Sequence, residues 1–97
     1  MDERAILHYF RKQLVYRVTD FLVDNPGKDY SKQDIAKGAG LSRATVFNHW
    51  KMLEASGIVK MTRRFGKTRL YQLDTENEIT KKMLELERYL ISAVIRK

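Results

Sequence analysis

Residues 41–59, LSRATVFNHWKMLEASGIV, read as a helix with both ends marked. Ser42 is a favoured N-cap, because its hydroxyl can accept a bond from an amide of the first turn. Gly57 is a natural C-terminal stop. Val46, Trp50 and Leu53 fall at i, i+4 and i+7, one inward stripe. The opposite face offers Arg43, Ala44, Thr45, Phe47, Asn48 and Lys51. It is polar, cationic and short-chained near its start. Phe47 shares that face by spacing and is a core candidate by chemistry.

Upstream, YSKQDIAKGAG covers residues 30–40. Ser31 and Asp34 have the spacing of a capping box. They open a short helix from Lys32 to about Gly38, with Ile35 and Ala36 as its apolar contacts and GAG as a tight turn after it. Before it, Leu7, Phe10, Leu14, Val18, Phe21 and Leu22 recur at helical spacing, which predicts a first helix from about Glu3 to Asp24. Pro26, in DNPGKD, ends it.

Downstream, MTRRFGKTRL (residues 61–70) is rich in cations and has no acid. Val59 and Met61 alternate with Lys60 and Thr62, and Tyr71 and Leu73 alternate with Leu70 and Gln72. Two strands are predicted, with Gly66 allowing the turn between them. The last helix is predicted from Thr75, with Thr75 and Glu78 as a capping box. Ile79, Met83, Leu86, Leu90 and Ala93 step by four and three residues, a heptad pattern, with Leu84, Ile91 and Ile95 beside it. That helix would be about 33 Å long, and its wide apolar surface calls for a partner.

The net charge of +7 is not spread evenly. Acids and bases cancel in residues 1–30 and again in 74–97. Residues 59–73 carry Lys60, Arg63, Arg64, Lys67 and Arg69 with no acid. The middle of the chain is built to meet a polyanion, and the ends are built to pack.

The chain has no cysteine, so disulfides and thiolate metal sites are excluded. His8 and His49 lie in different predicted helices and form no ligand cluster, so no metal or cofactor is expected. No apolar run is long enough to span a membrane. MDERAIL has no apolar h-region, which argues against a signal peptide. A cytoplasmic, nucleoid-associated protein is the expectation. No nucleophile–base pair, phosphate-loop glycine pattern or carboxylate cluster points to an enzyme.

A short helix, a glycine turn, a Ser-capped helix and a basic-tipped hairpin follow one another over about residues 29–73. This order resembles the winged helix-turn-helix regulators of the ArsR-like and MarR-like groups. Leu41, Ser42, Val46, His49, Trp50, Leu53, Gly57, Ile58 and Val59 carry the likeness. It implies a mainly α fold with a small β-hairpin (α+β), in one domain over residues 1–97. The parts would be an N-terminal helix (1–25), a helix-turn-helix plus wing (29–73) and a C-terminal dimerisation helix (75–97).

The resemblance also implies a homodimer on double-stranded DNA. Ile79, Met83, Leu86, Leu90, Ile91 and Val94 would form the interface. The recognition helix would enter the major groove with Ser42, Arg43, Ala44, Thr45, Asn48 and Lys51. Arg43 is suited to guanine, Asn48 to adenine, and Ala44 and Thr45 to close approach or a thymine methyl. Lys51 would meet phosphate, as would Ser31 and Lys32 at the opening of the preceding helix. Arg63, Arg64, Lys67 and Arg69 of the wing would lie on the backbone or in the minor groove. Metal sensing does not carry across, because the usual thiolate ligands are missing. An architectural or plasmid-partition protein that spreads on DNA fits the same pattern. A winged-helix protein-interaction module is a third reading.

Overall fold

The computed structural model describes residues 3–25 and 27–95, and in the first helix the side chains of residue 4 and of residue 13 onward. The expected role of Pro26, and the inward placing of Leu7 and Phe10, lie outside the described residues.

Helix α1 spans Glu3–Val23, α2 spans Lys32–Gly38, α3 spans Arg43–Asn48 and α4 spans Trp50–Ser56. Strands β1 (Val59–Phe65) and β2 (Thr68–Leu73) form an antiparallel hairpin, and α5 (Glu78–Ile95) closes the order. This is the mainly α, hairpin-bearing winged helix architecture read from the sequence.

The local signals of the central segment act as their chemistry requires. Ser31 Oγ accepts from the Asp34 amide and Asp34 Oδ2 accepts from the Ser31 amide, a complete capping box. Ser42 Oγ accepts from the Thr45 amide at 3.0 Å. Gly57 ends α4 at φ 78°, a left-handed conformation that costs glycine little.

The predicted single helix over 42–57 is broken at His49, whose backbone sits at φ −110°, ψ 9°. The Thr45 carbonyl would accept the His49 amide in a continuous helix. It accepts the His49 ring Nδ1–H instead, at 2.9 Å, and the amide tightens onto Val46 O. A side chain has displaced one backbone bond, and the helix divides there.

The core joins all these pieces. Leu14, Val18 and Leu22 of α1 meet Ile35, Val46, Trp50, Leu53 and Ile58, and Tyr71 of β2 closes it. Trp50 and Tyr71 pack edge to face, with ring centroids 4.6 Å apart. Tyr30 pairs with Tyr71 through two backbone bonds of 2.8 and 2.7 Å, adding a one-residue third strand beside β2. Met61, although it opposes the buried Tyr71, is 56 % exposed.

The hairpin has a β-bulge. Met61 opposes Tyr71 and Arg63 opposes Leu70, so Thr62 is an extra residue in β1. The turn is Gly66–Lys67, with positive φ at Gly66 only, the pattern of a type II′ loop.

The start of α5 corrects the Thr75–Glu78 capping box. The cap is Asn77, whose Oδ1 accepts from the amides of Ile79 and Thr80 at 3.0 and 3.2 Å. Its Nδ2 donates to Ser56 O, tying the helix start to the end of α4. Thr75 loses the role because it cannot make both contacts from two residues upstream. Thr80 is buried, Met83 and Leu84 are half-buried, and every residue from Arg88 to Ile95 is exposed.

Candidate nucleic-acid interface

One face of the molecule carries a groove of about 680 Å³ between α2, α3 and the hairpin. The first wall is the opening of α2, with Ser31, Lys32 and Gln33. The second is α3, with Arg43 and Phe47. The third is the hairpin tip, with Arg64, Lys67, Thr68 and Arg69. Five of these nine side chains are cationic and none is acidic. Three segments far apart in the chain thus converge on one acid-free surface.

The hairpin register explains which arginines take part. Arg64 opposes Arg69, and opposed residues share a face of a hairpin. Alternation along β2 puts Arg69 on the face of Tyr71, the face toward the helices. Arg63 opposes Leu70 on the other face. It has a different environment from the other three cations of the tip. Its Nε and Nη2 donate to Asp29 Oδ2 and Oδ1 at 2.7 and 2.9 Å. Thr62 Oγ1 donates to the same carboxylate at 2.9 Å. The hydrogen bond from Arg63, then that from Thr62, holds the Asp29 carboxyl down at about 2. This fork joins the hairpin to the loop before α2, across 34 residues. The sequence showed the cation and could not show its partner.

On α3, Arg43, Ala44 and Asn48 are exposed, as is Lys51 one turn on in α4. Thr45 is half-buried, and its hydroxyl is 2.7 Å from Ser42 Oγ, so both hydroxyls are engaged at the cap. Ser31 is likewise committed to its capping box. Phe47 is exposed, which settles its two sequence readings in favour of the outward one. The Lys32 ammonium lies 5.5 Å from its ring centroid and the Arg43 guanidinium carbon 4.9 Å, both in cation–π range. Lys32 also lies 5.4 Å from the Trp50 ring. The cations of the groove therefore rest partly on aromatic faces rather than on carboxylates.

A second surface is apolar. Along α5, Ile79, Leu86, Leu90, Ile91 and Val94 are between 43 % and 71 % exposed. Met83, Leu86 and Leu90 also line a groove of about 310 Å³ against Tyr16, Thr19 and Asp20 of α1. Among the described residues, no group of three or more His, Cys, Asp or Glu side chains could hold a metal ion. No described helix is long and apolar enough to cross a membrane.

No protein-family model matches the sequence, and no curated protein matches it. Solved structures do. A homodimeric winged helix-turn-helix DNA-binding domain from Mycobacterium bovis, described as a possible ArsR-family transcriptional regulator, is similar over 100% of this chain and 93% of its own. The TM-score is 0.62 at 16% identity. A type III plasmid segregation protein, TubR, is similar over 92% of this chain and 95% of its own, with TM-score 0.61 and 18% identity. The Zalpha domain of PKZ from Carassius auratus, solved with Z-DNA, is 28% identical over 65% of this chain and 95% of its own, with TM-score 0.53. The structural neighbours thus include a winged helix-turn-helix DNA-binding domain described as a possible ArsR-family regulator, and an antimony-specific transcriptional repressor.

Proposed function

Starting from a winged helix-turn-helix fold of the kind that DNA-binding regulators use, we propose that this chain is a homodimeric, sequence-specific double-stranded DNA-binding protein. Its role is transcriptional regulation at the nucleoid. The observation that carries the reading is the acid-free groove shared by α2, α3 and the hairpin tip. A duplex laid there meets cations from three directions, and each neutralised phosphate releases counterions.

In this reading α3 enters the major groove. Arg43 and Asn48 reach base edges, Ala44 allows close approach, and Lys51 meets backbone. Arg64, Lys67 and Arg69 carry the wing's phosphate or minor-groove contact. Arg63 acts as the strut that holds the wing at its angle, through Asp29. Ser42 and Thr45 set the start of the helix, and Ser31 and Lys32 support the backbone from α2.

The dimer is supported by the apolar surface of α5. Ile79, Met83, Leu86, Leu90, Ile91 and Val94 pair with the same residues of a second copy about a two-fold axis. Two recognition helices then meet half-sites about 34 Å apart, one helical turn of DNA.

Selection of bound duplexes from a random library at two salt concentrations tests the reading. An enriched inverted repeat with one-turn spacing is the expected result. Binding without an enriched sequence, with a steep salt slope, would replace regulation by an architectural or partition role. Absence of binding at low salt would move the basic face to a protein partner.

A further inference from the structure

Phe47 is the one large apolar side chain lining the groove, and 41 % of it stays in solvent. It is not a core residue pushed out by crowding. Val46, Trp50 and Leu53 fill the inward stripe, and Phe47 lies one position round from Val46. Its neighbours on the surface of α3 are Arg43 and Ala44, at i−4 and i−3. Those are side chains that the DNA-binding reading brings up to the base edges. The ring is also held. Arg43 approaches to 4.9 Å and Lys32 to 5.5 Å from its centroid. A fixed, exposed aromatic edge in a cationic groove needs an apolar counterpart on the ligand. The major groove presents one: the C5 methyl group of a pyrimidine.

We propose, resting on the DNA-binding reading above, that Phe47 is a specificity-determining residue that packs on a pyrimidine C5 methyl beside the base pair contacted by Arg43. The guanidinium stacked on the ring is restrained for a base edge, and the ring covers the methyl of the neighbouring pair. The methyl comes from thymine or from 5-methylcytosine, two sources of the same chemistry.

The test uses the full chain and its selected duplex. Each thymine is replaced in turn by uracil, which keeps every hydrogen bond and loses only the methyl. Each cytosine is replaced in turn by 5-methylcytosine. Removing one buried methyl-sized group weakens binding about fourfold per half-site, and about fifteenfold when both half-sites change. Thymine as the source predicts that loss at one position per half-site. 5-Methylcytosine predicts an equal gain at one cytosine. Phe47→Ala binds the methylated and unmethylated duplexes alike. Phe47→Leu keeps part of the discrimination and guards against a folding defect in the alanine variant. A selected duplex whose affinity changes in neither arm overturns the proposal alone. So does a Phe47→Ala variant that still discriminates. Failure of the wild type to bind any duplex overturns the DNA-binding reading with it.

Discussion

The helices of residues 32–56 bury their inward apolar stripe almost completely, whereas the second half of α5 leaves its own in water. Ile35, Val46 and Leu53 are fully buried, while Tyr89, Val94 and Ile95 are more than two-thirds exposed. Both segments carry helical apolar spacing, so periodicity alone does not separate them. What separates them is supply. The central core receives side chains from α1, α2, α3, α4 and both strands. Past Met83 and Leu84, the apolar side chains of α5 are exposed, with Leu86 and Leu90 lining only an open groove against α1. An amphipathic helix gains most of its stability from burying its face, so α5 depends on a surface that the central core does not provide.

Five variants probe this contrast and the basic face beside it. Leu53→Ala should be the most damaging, destabilising the chain by about 2–5 kcal/mol through a cavity in a sealed core, as read by denaturant unfolding. An effect as small as that of a surface site would mean that the central core is looser than its burial implies. Leu86→Glu with Leu90→Glu should leave folding of residues 30–73 intact and convert dimer to monomer in sedimentation. DNA affinity should fall about a hundredfold with the loss of the second half-site. An unchanged mass would remove α5 from the interface.

Arg64→Ala with Arg69→Ala should lower the salt slope of DNA binding by about 2 per subunit, without changing the unfolding curve. Arg63→Ala should act differently, loosening the wing and removing less of the slope. Asp29→Asn should have the smallest effect on affinity and a clear one on titration. The folded Asp29 carboxyl sits near 2, below its ordinary value of 3.8. A lowered carboxyl means that its contribution is fully present above about pH 4 and is lost as pH falls toward about 2. Carbon-detected NMR of the Asp29 side chain should show that midpoint, and a midpoint near 3.8 would mean that the fork with Arg63 does not persist in solution.

The features legible in the sequence are those whose cause is local. The Ser31–Asp34 box, the Ser42 cap, the Gly57 stop and the Gly66 turn each depend on residues within four positions. The features that escaped it are settled at a distance. Asn77 takes the cap of α5 because Ser56 is there to receive its amide, 21 residues away. Arg63 leaves the group of groove cations because Asp29 is there to hold it. The break at His49 is local yet hidden, because a ring nitrogen four residues on competes for a carbonyl that any helix would use. Phe47 was readable as an outward residue from spacing, and only its chemistry argued otherwise.

The extra residue at Thr62 reaches further than one irregular pair. Strict alternation along β1 would carry the parity of Val59 and Met61 on to Arg63 and Phe65. After Thr62 the parity switches, and Arg64 takes the inner face opposite Arg69. The root of the hairpin answers to the hydrophobic core and its tip answers to charge, and a single inserted codon lets the two run out of phase. A lineage carrying this hairpin could therefore re-aim the tip by gaining or losing one residue at that point, while Val59 and Tyr71 stayed where the core needs them.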